Sequence, residues 1–240
     1  MNARNSTIVR SSLALTSLAM CGFFGVSCAN SDDNGPAGGA GGGGQSGSLM
    51  AGFTVDDGGY VTTGTWKGWA WPATEGPNKG TTITPAPSDQ NGPGFSAVKA
   101  GSPLCVSGSV IADAAYGGVG LLGVNINQDK TPANAPQNTW TPTGNGVKWQ
   151  ITNKGGSPLR IQINGVQGYP NEAWCYPIST TATSSGGAIK WADFNSKCWG
   201  EAGSVTYNGT TPLTLALVVV PGLNTANQPF EFCLEGLSPN

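Results

Sequence analysis

The chain has 240 residues, 38 of them glycine and 17 proline, and only 10% are charged, a composition that suits an exported β-protein rich in turns better than a helical cytosolic one. The 11 basic and 13 acidic residues leave no basic field for a nucleic-acid backbone, and no Lys/Arg cluster or helix stands ready to enter a groove. Histidine is absent, which closes the Ser-His-Asp and Cys-His nucleophile systems, nearly all catalytic zinc sites and the usual proton shuttle near neutral pH.

Residues 1–28 read as an export signal. Arg4 and Arg10 precede the apolar run LALTSLAMCGFFGVSC, residues 13–28, which has the length of a signal-peptide core and is short for a membrane span. GVSC, ending at Cys28, resembles a bacterial lipobox, in which Cys28 is lipidated and becomes the mature N-terminus; Gly25 stands where a branched aliphatic residue is usual. Ordinary cleavage after Ala29 is the alternative, with Ser27 and Ala29 as the two small residues it requires. Both readings export the protein. Residues 29–51 are Gly- and Ser-rich, a flexible tether of the kind that holds a domain off a surface. No second linker follows, so residues 52–240 are predicted to form one domain.

Within that domain, alternating or continuous apolar runs predict strands over 60–71, 102–112, 118–128, 146–153, 159–165, 188–194, 213–221 and 230–236. Short strands separated by Gly, Pro, Asn and Ser clusters predict an all-β, two-sheet antiparallel sandwich of jelly-roll type. Three of these runs share one pattern. In LGVNINQ, Leu122, Val124 and Ile126 take one face and Asn125 and Asn127 the other; in GVKWQITN, Val147, Trp149 and Ile151 oppose Lys148, Gln150 and Thr152; in LRIQING, Leu159, Ile161 and Ile163 oppose Arg160, Gln162 and Asn164. Were these strands neighbours, as consecutive strands often are, Asn125, Asn127, Gln150, Arg160, Gln162 and Asn164 would form one patch of amides and a guanidinium. Such a patch suits sugar hydroxyls, which need donors and acceptors placed by a rigid scaffold. The plain alternative is an ordinary solvated face.

Beyond the signal lie Cys105, Cys175, Cys198 and Cys233, an even number in an oxidising context. The pairing Cys105 with Cys233 follows if the early and final strands are side by side, and Cys175 with Cys198 would staple one long excursion. A four-cysteine zinc site is disfavoured because no Cys-x-x-Cys pair exists. Among the aromatic residues, Trp149 and Trp66 read as core. Trp140, Trp174 and Tyr176, with Trp199, fall in segments that read as loops and are the candidate sugar platforms, although a tryptophan against a disulfide is also a structural device.

Carboxylates test the enzyme alternative, a β-sandwich glycan hydrolase or lyase. A glycosidase pair stands about 5 to 9.5 Å apart. Glu231 and Glu235 are four residues apart on one strand face, roughly 13 Å. No strand carries two carboxylates at i and i+2, which leaves only a pair from different segments, such as Asp193 with Glu172. A non-catalytic protein is expected.

YVTTGTWKGWAW, GVNINQ, LRIQING, AIKWADFNSKCWG and FEFCLEGL, in that order over nearly the whole domain, resemble the secreted galactose-binding-like jelly-roll modules of bacteria, the architecture shared by many carbohydrate-binding modules. The resemblance implies polysaccharide binding on a concave sheet face or at loop tips, often with a structural calcium ion. Asp56 and Asp57, in VDDGG, could join Glu231 or Glu235 as hard-oxygen calcium ligands if the first and last strands meet; the alternative is that VDDGG is simply a turn. The resulting expectation is a monomeric, exported and surface-tethered domain that binds a polysaccharide or cell-surface glycan, touches no nucleic acid and meets a membrane only through its lipid anchor. A structural or adhesive lipoprotein with a protein partner is the further alternative.

Overall fold

In the computed structural model, residues 48–76, 80–115, 117–132, 134–198 and 204–240 are described. The predicted signal and most of the predicted tether, with Cys28, lie outside the described residues, as does Trp199. The chain runs β1 (Phe53–Val55), β2 (Tyr60–Thr63), β3 (Trp66–Glu75), β4 (Thr82–Thr84), β5 (Leu104–Val110), β6 (Val119–Asn125), β7 (Gly146–Asn153), β8 (Leu159–Gly165), β9 (Ala173–Ile178), β10 (Ser185–Lys190), a single 3-10 turn (Trp191–Asp193), β11 (Leu213–Pro221) and β12 (Gln228–Pro239).

Two antiparallel sheets result, a seven-stranded one ordered β1-β2-β3-β6-β11-β8-β9 and a five-stranded one ordered β10-β7-β12-β5-β4. The core lies between them. Leu122 and Val124 of β6, Ile161 and Ile163 of β8, and Ala216 and Val218 of β11 meet Val147 and Ile151 of β7 and Phe232 and Leu234 of β12. Period-two alternation produces this, since each strand gives one face to the common core. Trp66 and Trp149 are both in that core, as predicted.

Local chemistry divides two of the predicted strands. YVTTGTWKGWAW becomes the hairpin β2–β3, because Gly64 takes a positive φ of 52° and lets the chain reverse. AIKWADF is half strand: β10 ends at Lys190, and Asp193 accepts from the Lys190 N–H in the 3-10 turn that follows.

The largest correction concerns neighbours. β7 lies in the opposite sheet from β6 and β8, and β6 and β8 are separated by β11. Alternation assigns a residue to a face, but consecutive strands in a sandwich can cross from sheet to sheet. Here β11 fills the space between β6 and β8 with seven register partners on one side and six on the other.

Both predicted disulfides form. Cys105 and Cys233 are direct partners in the β5–β12 ladder, and Cys175 of β9 joins Cys198 beyond the 3-10 turn.

Candidate functional site

The outward face of the seven-stranded sheet carries a cleft of about 560 Å³. Its polar wall is β8. Arg160, Gln162 and Asn164 leave this strand on the side away from the core, as the alternation predicts. Its floor is β11, whose outward residues stand directly beside them in register: Val219 opposite Arg160, Leu217 opposite Gln162 and Leu215 opposite Asn164. On the other side of β11 comes Leu121 of β6, opposite Val219, and then Ala73 of β3. Trp71, Val119, Leu121, Leu217 and Val219 form a second apolar cluster outside the main core.

Trp71 is housed by a glycine. A Cβ on its register partner Gly123 would fall 2.4 Å from the indole Cζ2, so the ring lies on β6 where only glycine leaves room. The indole Nε1 donates to Asn125 Oδ1 at 3.0 Å, and Asn125 Nδ2 donates to Gln128 Oε1 at 2.7 Å and to the Gln90 carbonyl. Gln128 in turn donates to the Ala135 carbonyl at 2.7 Å. Asn125, fully buried, is therefore spent on holding the loop around Gln90 against the sheet.

The polar wall is held from outside by the Cys175–Cys198 disulfide. Arg160 Nη1 donates to the Cys198 carbonyl at 2.6 Å. Gln162 stands in register with Cys175, whose Sγ is 3.4 Å from Gln162 Oε1; a disulfide sulfur carries no proton, so this is packing and not a hydrogen bond. Gln162 Nε2 donates to Asn164 Oδ1 at 3.0 Å. Burial pushes the Arg160 guanidinium down from its ordinary range to about 10, with nearby Tyr169 pulling the other way, and it remains a cation at neutral pH.

Tyr169 lines the same cleft and is 56% exposed, the one large exposed aromatic ring among the described residues. It sits in the β8–β9 loop, which Glu172 closes: Glu172 Oε2 accepts from Gln167 N at 2.9 Å, and its backbone exchanges hydrogen bonds with Gly165 and Gly168. Sequence reasoning passed over Tyr169, although a lone aromatic in the Gly- and Pro-rich turn GVQGYP was a visible signal. It also passed over the floor, whose signal was LTLALVVVP itself: an antiparallel strand apolar on both faces has its outer face covered as well.

The remaining predicted residues are dispersed. Asn127, half-buried, donates to the Thr139 carbonyl. Gln150 lies on the outward face of the other sheet, where it donates to Glu235 Oε2 at 3.1 Å and to the Ser48 carbonyl at 3.0 Å. Trp174 and Tyr176 are carried by β9, not by a loop, and pack inward: Trp174 against Tyr207 at 4.7 Å and Tyr176 against Phe194 at 6.4 Å between ring centroids. Trp140 packs edge-on against Trp66 at 5.6 Å. These corrections share a cause: the inward positions of β9 and the edge of the core need large side chains, and the aromatics fill them.

Asp56, Asp57 and Glu235 do not converge. Asp56 pairs with Lys130 at 2.8 Å, Asp57 Oδ1 accepts from Ala100 N at 2.9 Å, and Glu235 is enclosed by Gln150, Thr152 and Ser184 on the five-stranded sheet. Among the described residues no three His, Cys, Asp or Glu side chains are grouped to hold a metal ion.

A second cleft of about 620 Å³, lined by Thr63, Thr65 and Lys148 near the C-terminus, is larger. Size alone does not rank them. The sheet-face cleft combines a buried cation, two amides, an aliphatic floor and an exposed tyrosine, the mixture that ligand sites show.

No protein-family model matches the chain, and no curated protein matches it. Among solved structures the chain is similar to carbohydrate-binding modules. The family 11 module of a cellulosomal cellulase of Clostridium thermocellum shares 14% identity over 70% of this chain and 85% of the module, with a TM-score of 0.43. The same family's module in complex with a beta-1,3-1,4-mixed-linked tetrasaccharide shares 13% identity over 70% of this chain and 86% of that one, with a TM-score of 0.42. The module TmCBM61 in complex with beta-1,4-galactotriose shares 10% identity over 70% and 88%, with a TM-score of 0.27. At these values the functional argument rests on the cleft.

Proposed function

We propose that this protein is an exported, surface-tethered jelly-roll domain that binds polysaccharide in the sheet-face cleft without modifying it. The observation that carries the reading is the juxtaposition across β8 and β11: Arg160, Gln162 and Asn164 stand in register with the aliphatic row Val219, Leu217 and Leu215, below the exposed Tyr169. A sugar ring has an apolar C–H face and an equatorial fringe of hydroxyls. The aliphatic row and the tyrosine ring suit the former, while the amides and guanidinium suit the latter. Glu75 is the single carboxylate among the described residues lining the cleft, whereas glycoside hydrolysis ordinarily uses two. Two disulfides and the N-terminal signal support export.

The test is retention of the full chain on a panel of insoluble polysaccharides, with soluble-sugar release assayed in the same tubes. Retention without release, reduced about tenfold or more by Tyr169→Ala and by Arg160→Ala with unchanged circular dichroism, is the expected result. Release of reducing ends would replace binding with hydrolysis. Neither retention nor release on any polymer would leave the adhesive, protein-binding reading.

A further inference from the structure

The cleft of about 620 Å³ is assembled from four separate stretches of chain. Met50 and the two residues after it form one side, ahead of β1. Thr63 closes β2, and Thr65 stands in the hairpin turn that leads to β3. Thr143 precedes β7, and Lys148 of β7 is the register partner of Ser238 of β12. The backbone of Asn240 completes the wall: its N–H donates to the Gly146 carbonyl and its carbonyl accepts from the Asn145 N–H, both at 2.8 Å.

Packing does not account for two of these side chains. Thr63 shares a strand face with Val61 of the core and is itself only 3% exposed. Its hydroxyl has no hydrogen-bond partner among the described residues, although valine has nearly the same shape and would bury no polar atom there. A buried hydroxyl without a partner is costly, and the cleft that Thr63 lines is where this one can be satisfied. Lys148 is exposed, takes part in none of the ion pairs formed by the described residues, and faces a cleft with no Asp or Glu among its lining residues. Glu235, outward on the same sheet, is spent on Gln150, Thr152 and Ser184. An ammonium has three donors and no acceptor, whereas the hydroxyls of Thr65, Thr143 and Ser238 around it both donate and accept. The ligand that uses both is polyhydroxylated and carries an anionic oxygen group.

We propose that this cleft is a second binding site, for an acidic sugar whose hydroxyls meet the threonine and serine side chains and whose carboxylate or sulfate meets Lys148. Its volume is in the range of small-molecule sites. It shares no lining residue with the sheet-face cleft, so the two sites bind independently. A uronate and a sulfate ester present the same anionic oxygens. Lys148 recognises what they share.

Isothermal titration of the full chain tests the site with two pairs of soluble probes, trigalacturonate against its methyl ester and sulfated cellobiose against cellobiose. The acidic member of one pair is expected to bind about fivefold tighter or more than its neutral partner, the gain available from one charge-assisted contact at a part-exposed lysine. The pair that responds distinguishes carboxylate from sulfate. Lys148→Gln is expected to remove that preference, and Thr63→Val to weaken the acidic probe about threefold or more while the Tm stays level or rises. Tyr169→Ala is expected to leave the preference intact. Should Thr63→Val not fold, Lys148→Gln, at an exposed position, decides. Equal binding within both pairs overturns the site, and so does a preference that survives Lys148→Gln. A preference abolished by Tyr169→Ala also overturns it, because the acid would then sit in the sheet-face cleft. Failure of the sheet-face reading on insoluble polysaccharides is a separate result, read at different residues.

Discussion

Arg160 and Cys198 are 38 residues apart in the chain and joined by a 2.6 Å hydrogen bond from the guanidinium to the backbone carbonyl. That bond makes the Cys175–Cys198 disulfide part of the cleft wall, because Cys175 is also the register partner of Gln162. Replacing both cysteines, Cys175→Ser with Cys198→Ser, releases the segment that orients Arg160. The disulfide spans 23 residues, so chain-entropy arguments put its stabilisation at about 3 kcal/mol. For a domain of this size the expected fall in Tm is about 6 to 12 °C. Polysaccharide retention measured well below the new Tm is expected to fall about as far as it does for Arg160→Ala, and combining the three substitutions is expected to add little, since all act on one side chain.

Gln150 separates the two sheets experimentally. It donates to Glu235, a carboxylate only 1% exposed that also accepts from Thr152 Oγ1 at 2.6 Å. Gln150→Ala leaves that buried anion short of a donor, which costs about 1 to 3 kcal/mol. Urea denaturation is expected to show the loss as a lowered midpoint at unchanged slope, with glycan retention equal to that of the wild type. A fall in retention without a change in midpoint would place Gln150 in the site after all.

Gly123→Ala tests the housing of Trp71. The added methyl meets the Trp71 indole ring atoms at 2.4 to 2.7 Å, too close to be absorbed without moving the ring and straining its 3.0 Å bond to Asn125. Overpacking of this kind costs about 1 to 3 kcal/mol. Near-ultraviolet circular dichroism is expected to lose intensity from the displaced indole, and the Tm is expected to drop.

Binding is expected to be flat in pH. The chain has no histidine, and burial lowers the Arg160 pKa only to about 10, so the cleft keeps its cation from pH 5.5 to 9. The sign for stability follows from the same shift. A base whose pKa is depressed by folding binds more protons when unfolded, so the burial cost of Arg160 is present in full below about 10 and is relieved as pH rises above it toward the ordinary guanidinium range. Arg160 thus contributes no loss of stability on alkalinisation, while retention is expected to fall above about pH 10 as the charge is lost. Retention measured across pH 5.5 to 9 that varies by more than about twofold would show that a titrating group other than Arg160, such as the Glu75 that lines the cleft, contributes to binding.

Much of this protein is legible from sequence. LRIQING states by alternation alone that Arg160, Gln162 and Asn164 share a face opposite the core, and the outward triad is where the cleft wall stands. The cysteines, even in number and placed on segments that ought to meet, pair as predicted. Both inferences are local or nearly so: side chains alternate with a period set by backbone geometry, and an oxidising compartment leaves few ways to satisfy four thiols. Tertiary structure alone decided the rest. Gln150 obeys the same alternation as Gln162, yet lies on the opposite sheet, because strand neighbours are chosen by long-range pairing, in which β11, far along the chain, displaces β7 from beside β6 and β8. Asn125 is on the predicted face and still unavailable, since Trp71 and Gln128 reach it first. A periodic pattern fixes the direction of a side chain, but which partner arrives there depends on contacts between residues distant in sequence, and those are settled only when the sandwich closes.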